Sequence, residues 1–209
     1  MRKSIDKYTR YRYFKRGIDM LVSFWALIIL FAPMCVLAFA VKVSTGERAI
    51  FKQRRVGADG RLFTCYKFRT MYENAPSELS SSAFVDAEQY ITPIGSFLRR
   101  TSIDELPQLY NVLRGDMSLV GPRPLIVSER EAHDMRMGSG AYSLRPGMTG
   151  LAQISGRTLL DDINKVMLDT EYTYNMSFLY DARIVFRTLF KVAVCEGTVV
   201  SEKEKKHRT

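Results

Sequence analysis

The chain has 209 residues, room for one domain with appendages, and a formal net charge of +9. That charge calls for an anionic partner: nucleic acid, an anionic membrane face or a polyphosphate substrate. With two histidines and three cysteines in no metal-like spacing, a histidine-centred triad and a histidine-rich metal site are disfavoured, and Cys35, Cys65 and Cys195 read as free thiols in a reducing compartment.

Residues 20–41 carry no charged side chain, which is about the length needed to cross a bilayer as a helix. Lys3, Lys7, Arg10, Arg12, Lys15 and Arg16 precede this run, with Tyr8, Tyr11, Tyr13 and Phe14 among them. Lys42, Arg48, Lys52, Arg54 and Arg55 follow it. Basic flanks on both sides give a spanning helix no preferred orientation, and Pro33 near the middle bends or breaks the helix. Ends that both belong in the cytosol, with a breaker between them, favour a re-entrant hairpin over an ordinary kinked span. Ala38-Phe39-Ala40 resembles a signal-cleavage site, but the run is too long and its basic lead too extended for a signal peptide.

Residues 50–56 and 61–71 flank Gly57-Ala58-Asp59-Gly60, and Asp-Gly between short alternating runs predicts a β-hairpin. On the second strand Phe63, Cys65, Lys67, Arg69 and Met71 share a face. Lys67 and Arg69 then point together, as a phosphate-binding pair or as the charges of an edge strand. Residues 74–88 are polar and serine-rich and read as a mobile loop. Residues 93–100 predict a short helix that delivers Arg99 and Arg100 to the next segment.

There, two adjacent carboxylates, Asp104 and Glu105, lie between basic residues in an apolar neighbourhood. A helix starting at Ser102 uses the S-x-x-E spacing of a capping box, but puts Pro107 in its second turn. A start at or just after Asp104 puts Pro107 in the first turn, where it is tolerated. Leu106, Leu109 and Leu113 then share a face and Gly115 closes the helix. Both starts place the carboxylates at a helix N-terminus, whose dipole keeps them ionised. An ionised carboxylate beside Arg99, Arg100 and Arg123 can attack phosphorus or hold a divalent metal while the arginines hold a phosphate. A capped, solvated helix start is the plainer alternative.

Residues 127–137 predict a helix broken by Gly138-Ser139-Gly140. Residues 144–157 form a glycine-punctuated loop with Arg145 and Arg157 near its ends. Its glycines let backbone N–H groups approach a phosphate or nucleotide, although the pattern is neither Walker A nor G-x-G-x-x-G. A plain connector is the alternative. Residues 161–174 and 177–194 predict two further helices. The second sets Phe178, Ile184, Val185, Leu189 and Val192 against charged residues, suited to packing inward or lying on a membrane. Tyr172, Tyr174 and Phe178 read as core or interface anchors, and residues 201–209 as a charged, disordered tail.

Four motifs then occur in order: Lys67-Phe68-Arg69-Thr70-Met71, Thr101-Ser102-Ile103-Asp104-Glu105-Leu106-Pro107-Gln108, Val120-Gly121-Pro122-Arg123-Pro124 and Arg145-Pro146-Gly147-Met148-Thr149-Gly150. Through them, and over nearly the whole chain from Lys15-Arg16-Gly17-Ile18-Asp19 to about Ile184, the sequence resembles the bacterial sugar transferases known as monotopic phosphoglycosyl transferases, in their small catalytic form. The resemblance implies transfer of a sugar-1-phosphate from a UDP-sugar to undecaprenyl phosphate with release of UMP, and Mg2+ as cofactor. It implies a monotopic place on the cytoplasmic face of the bacterial inner membrane, among its lipids. The expected fold is a helix-rich α/β mixture. A basic N-terminus with a re-entrant membrane hairpin (1–45) leads to a catalytic domain (46–200) with a β-hairpin and membrane-surface amphipathic helices, then the tail (201–209). The family breaks its membrane helix at a Ser-Pro pair. Here the pair is Ala32-Pro33, which keeps Pro33 as the membrane break but loses a side-chain hydrogen bond.

By the same resemblance Asp104 is the nucleophile of a phosphosugar-aspartyl intermediate. Glu105 assists as a metal ligand or in proton transfer, and both carboxylates meet the Mg2+. Lys67, Arg69, Arg99 and Arg123 hold phosphates; Arg145, Gly147, Gly150 and Gln153 face the nucleotide or the acceptor. A membrane-tethered binder of nucleic acid or anionic lipid would account for the charge but not for an acidic pair inside a basic field. A scaffold would account only for the anchor and the core. Nucleic acid is not an expected partner, and apolar faces on the last helices leave room for a homodimer.

Overall fold

The computed structural model describes residues 2–75, 87–156 and 161–194. Helix α1 (Arg2–Thr45) carries the charge-free run and is, among the described residues, the one helix long and apolar enough to cross a membrane. Phe24, Trp25, Ile29, Phe31, Val36 and Phe39 are exposed along it. Of the bend or break expected at Pro33, no break ends the helical run, which continues through it. Proline removes one i→i−4 bond and clashes with the preceding turn, and a long apolar helix absorbs this without ending.

Both ends of α1 dock on the rest of the chain. Arg16 donates from Nη1 to Val112 O at 2.6 Å and from Nη2 to Leu113 O at 2.9 Å. Asp19 accepts from Ser118 Oγ at 2.7 Å and from the Leu119 N–H at 3.2 Å. Tyr11 and Lys15 both donate to Asp181. At the other end Val41 is fully buried with Phe68 and Leu98, and Met34, Leu37 and Ala38 pack against them.

The expected hairpin forms from β1 (Ile50–Val56) and β2 (Leu62–Phe68). Its 3-10 turn, Ala58–Gly60, places Asp59 (φ 53°) and Gly60 (φ 72°) in the left-handed region, which Asp and Gly tolerate best. β2 stops short of the expected Met71. Phe68 turns into the cluster with Val41 and Leu98, the Arg69 N–H crosses to Ala49 O at 2.8 Å, and Met71 makes only an isolated bridge to Ile91.

Helix α2 (Pro93–Arg100) begins as predicted, with Thr92 Oγ1 accepting the Gly95 N–H at 3.0 Å. A 3-10 turn (Ile103–Glu105) leads to α3 (Gln108–Arg114). Gly115, at φ 100°, closes α3 with its N–H on Asn111 O and Val112 O. Strand β3 (Ser118–Val120) is followed by β4 (Leu125–Ile126), which adds to β1 in the order β2-β1-β4. Helix α4 (Arg130–Met137) starts later than expected. Strand β5 (Gly147–Thr149) pairs in parallel with β3 and runs into α5 (Leu151–Ser155).

Helix α6 (Asp162–Asn175) is capped by Asp161 and α7 (Phe178–Ala193) by Ser177. Val120, Leu144, Leu151, Ile154, Tyr172, Met176 and Ile184 form the core beneath them. α7 buries Ile184 but leaves Phe178, Leu179, Phe186, Leu189 and Phe190 exposed, so most of its apolar residues face outward. Tyr172 is a core residue as expected, whereas Tyr174 is exposed. Most of the expected 74–88 loop, Arg157, Cys195 and the 201–209 tail lie outside the described residues.

Candidate active site

The carboxylate pair occupies the 3-10 turn between α2 and α3, in contact with α2 and β2. The capping box at Ser102 does not form. Ser102 adopts φ 56°, ψ 16° and makes no side-chain cap bond, while the Glu105 N–H donates to Ser102 O at 3.2 Å. The helix starts after the carboxylates, with Pro107 just before Gln108. A left-handed serine costs about 1–3 kcal/mol where the surroundings hold it, so this turn carries strain beside the candidate nucleophile.

Asp104 is buried and Glu105 half-buried. Lys67 Nζ donates to Glu105 Oε1 at 2.9 Å, both side chains being about a quarter exposed (24% and 23%). Arg99 comes from the last turn of α2 and donates from Nε to Thr70 Oγ1 at 2.8 Å. Burial pushes the Arg99 guanidinium below its ordinary pKa, and the charge of Asp104 opposes that shift. Beneath lies Cys65, 1% exposed. Burial pushes its thiol up, and Lys67, Arg55, Glu105 and Arg123 all act on it. Arg123 lies between β3 and β4. Asp104, Glu105, Lys67 and Arg99 meet at this turn as two carboxylates and two cations.

Other expected site residues lie elsewhere. Arg69 follows the last residue of β2, and its Nε donates to Arg48 O at 3.0 Å. Arg145 sits at the far end of α3 with Nε on Gly115 O at 2.8 Å, in a cleft shared with Arg12, Arg16 and Asp19. Gly147 and Gly150 serve chain packing. The Gly147 N–H donates to Pro122 O at 2.8 Å and the Gly121 N–H to Thr149 O at 2.9 Å. A Cβ at Gly147 would strike the Gly121 nitrogen, and one at Gly150 the Gly121 carbonyl. Gln153 Oε1 is buried near Gly150 without a hydrogen-bond partner.

Two contributors escaped the sequence reading. Thr70, which holds Arg99, stood in view inside the Lys-Phe-Arg-Thr-Met motif. The ion pair of Arg136 with Asp169, whose side chains are 2% and 1% exposed, had no sequence signal, since its partners come from different helices. Among the described residues no three metal-ligating side chains converge. Adjacent carboxylates nonetheless suit Mg2+, which keeps several waters and takes one or two protein carboxylates together with substrate phosphates.

The family model described as "Bacterial sugar transferase" matches residues 10–195. The Exopolysaccharide production protein ExoY of Sinorhizobium fredii is 40% identical over 199 residues, covering 88% of this chain and 87% of its own. Undecaprenyl-phosphate galactose phosphotransferase of Salmonella typhimurium is 39% identical over 193 residues, covering 85% of this chain and 40% of its own. UDP-glucose:undecaprenyl-phosphate glucose-1-phosphate transferase of Escherichia coli is 40% identical over 189 residues, covering 86% of this chain and 40% of its own. This chain thus spans well under half of the two longer relatives and most of the shorter one. With the match running from the basic lead of α1 to beyond α7, the chain belongs to the bacterial sugar transferase family.

Proposed function

We propose that the protein transfers a sugar-1-phosphate from a UDP-sugar to undecaprenyl phosphate, releasing UMP, on the cytoplasmic face of the bacterial inner membrane. The names of the Salmonella and Escherichia relatives support the substrate classes. The observation that carries the reading is the cluster itself: buried Asp104 in the field of Arg99, with Glu105 paired to Lys67.

In the first step an Asp104 carboxylate oxygen attacks the phosphorus next to the sugar. A phosphorus–oxygen bond to Asp104 forms, the phosphoanhydride bond breaks, and UMP leaves with the bonding electrons. In the second, an oxygen of undecaprenyl phosphate attacks the same phosphorus and Asp104 departs as a carboxylate. Lys67, Arg99 and Arg123 hold the phosphate oxygens and offset the repulsion between an anionic nucleophile and an anionic substrate. Mg2+, held by Asp104 and Glu105, would supply further charge neutralisation at the diphosphate.

The acceptor phosphate lies at headgroup level on a lipid that does not leave the bilayer, so the cluster has to be kept there. A re-entrant α1 does this with both flanks on one side, and the docking of both its ends on one folded body supports that topology. The outward apolar face of α7 suits the same surface. The test is UMP release from a panel of UDP-sugars with polyprenyl phosphate and Mg2+. Acceptor-dependent turnover with at least one sugar is expected, and none with any sugar would overturn the assignment.

A further inference from the structure

The main chain from Pro122 to Pro124 is held at every carbonyl. Pro122 O accepts from the Gly147 N–H at 2.8 Å, Arg123 O from Arg136 Nη1 at 2.6 Å, and Pro124 O from Arg55 Nη1 at 2.5 Å. The prolines have no N–H to give, which leaves the Arg123 N–H as the segment's donor, and it faces the Asp169 carboxylate. Arg136 Nη2 is bonded in turn to Asp169 Oδ2. One buried ion pair thus grips the Arg123 peptide from its carbonyl and its amide side. Pro124 adds a limit of its own by keeping the preceding residue out of the helical region.

This pair is a poor source of stability. Its side chains are almost wholly buried, Arg136 Nε and Asp169 Oδ1 have no hydrogen-bond partners, and apolar residues of similar volume often replace such pairs without loss. What they would not supply is a donor for one side of the Arg123 peptide and an acceptor for the other. We propose that Arg136 and Asp169 are positioning residues that fix the Arg123 backbone so that its guanidinium reaches the substrate phosphate. The proposal rests on the reading of Arg123 as a phosphate-holding residue.

The experiment uses the full chain in lipid nanodiscs and follows UMP release against UDP-sugar concentration, with thermal midpoints recorded alongside. The variants are Arg136→Met with Asp169→Leu, the milder Asp169→Asn, and each of these combined with Arg123→Ala. With Arg123 in place, kcat/KM should fall about 10- to 100-fold for the apolar pair and at least about threefold for Asp169→Asn, through a raised KM for UDP-sugar. In the Arg123→Ala background the same changes should cost less than about twofold, because the side chain they position is gone. If the apolar pair does not fold, Asp169→Asn decides by the same comparison. Equal losses in both backgrounds, or none with Arg123 in place, would overturn the positioning role. If Arg123→Ala alone is as active as the parent, the phosphate-holding role falls and the proposal with it. If that variant is impaired, the role stands and the background comparison judges the clamp by itself.

Discussion

Lys67 Nζ lies 2.9 Å from Glu105 Oε1, a contact that ties the end of β2 to the turn between α2 and α3. It keeps a cation beside the carboxylates before any substrate arrives. Glu105→Gln keeps the shape and removes the charge, and should slow UMP release about 10- to 100-fold, or about 1.4–2.8 kcal/mol. Lys67→Met should be more damaging, since it strips a phosphate contact and leaves the half-buried Glu105 without this partner. Steady-state rates with saturating acceptor decide it. Unchanged rates in both variants would remove the pair from the mechanism.

Asp104 is tested through the half-reaction. Without polyprenyl phosphate, UDP-sugar should give a burst of at most about one UMP per enzyme, with labelled UMP exchanging back into UDP-sugar. Rapid quenching should leave a phosphosugar mass on the peptide that contains Asp104. Asp104→Asn should abolish burst and exchange while keeping fold and membrane association. An enzyme fully active with acceptor, yet showing neither exchange nor adduct, would mean direct displacement in a ternary complex. Continuous release without acceptor would instead indicate a phosphohydrolase.

Topology is tested with single cysteines. On a background of Cys35→Ser, Cys65→Ala and Cys195→Ser, Lys3→Cys and Lys52→Cys should both be labelled by an impermeant maleimide only after the cytosolic face is opened. Labelling from opposite faces would show that α1 spans. Pro33→Leu removes a helix-interior cost of about 3 kcal/mol and should raise the spanning fraction.

Two glycines give a contrast in stability. Gly147→Ala drives a Cβ into the Gly121 backbone, where β3 and β5 run side by side. It should cost at least about 3 kcal/mol or prevent folding. Gly138→Ala, at φ −81° with open space around it, should be neutral or stabilise by up to about 1 kcal/mol. Thermal melts in detergent separate the two.

What was legible in the sequence was mostly local. Asp59-Gly60 marked the hairpin turn, Pro93 the start of α2, Gly115 the end of α3, and all lie where their backbone chemistry requires. The pairing of Lys67 with Glu105 and the nearness of Arg99 to Asp104 fit the grouping that came from the motifs. The end of β2 at Phe68, three residues before the expected Met71, was not legible because the apolar cluster that takes up Phe68 is built from distant parts of the chain. The close packing of Gly147 and Gly150 was not legible, because a sequence does not reveal which backbone passes alongside. Here the neighbour is Gly121. Ser102 fitted a cap by spacing, but its left-handed φ turns the chain another way.

Helix α1 has a consequence for anyone who wants this enzyme without detergent. Val41 completes the cluster of Phe68 and Leu98, and Asp19 satisfies Ser118 and Leu119 from the other end. The anchor is thus part of the interior it appears merely to hold in place. Cutting the chain before residue 46 would not release a finished domain; it would open an apolar wound beside α2 and strand polar groups beside β3. A water-soluble version has to keep those two inward-facing patches and recolour only the outward residues between them, such as Ile29, Phe31 and Val36.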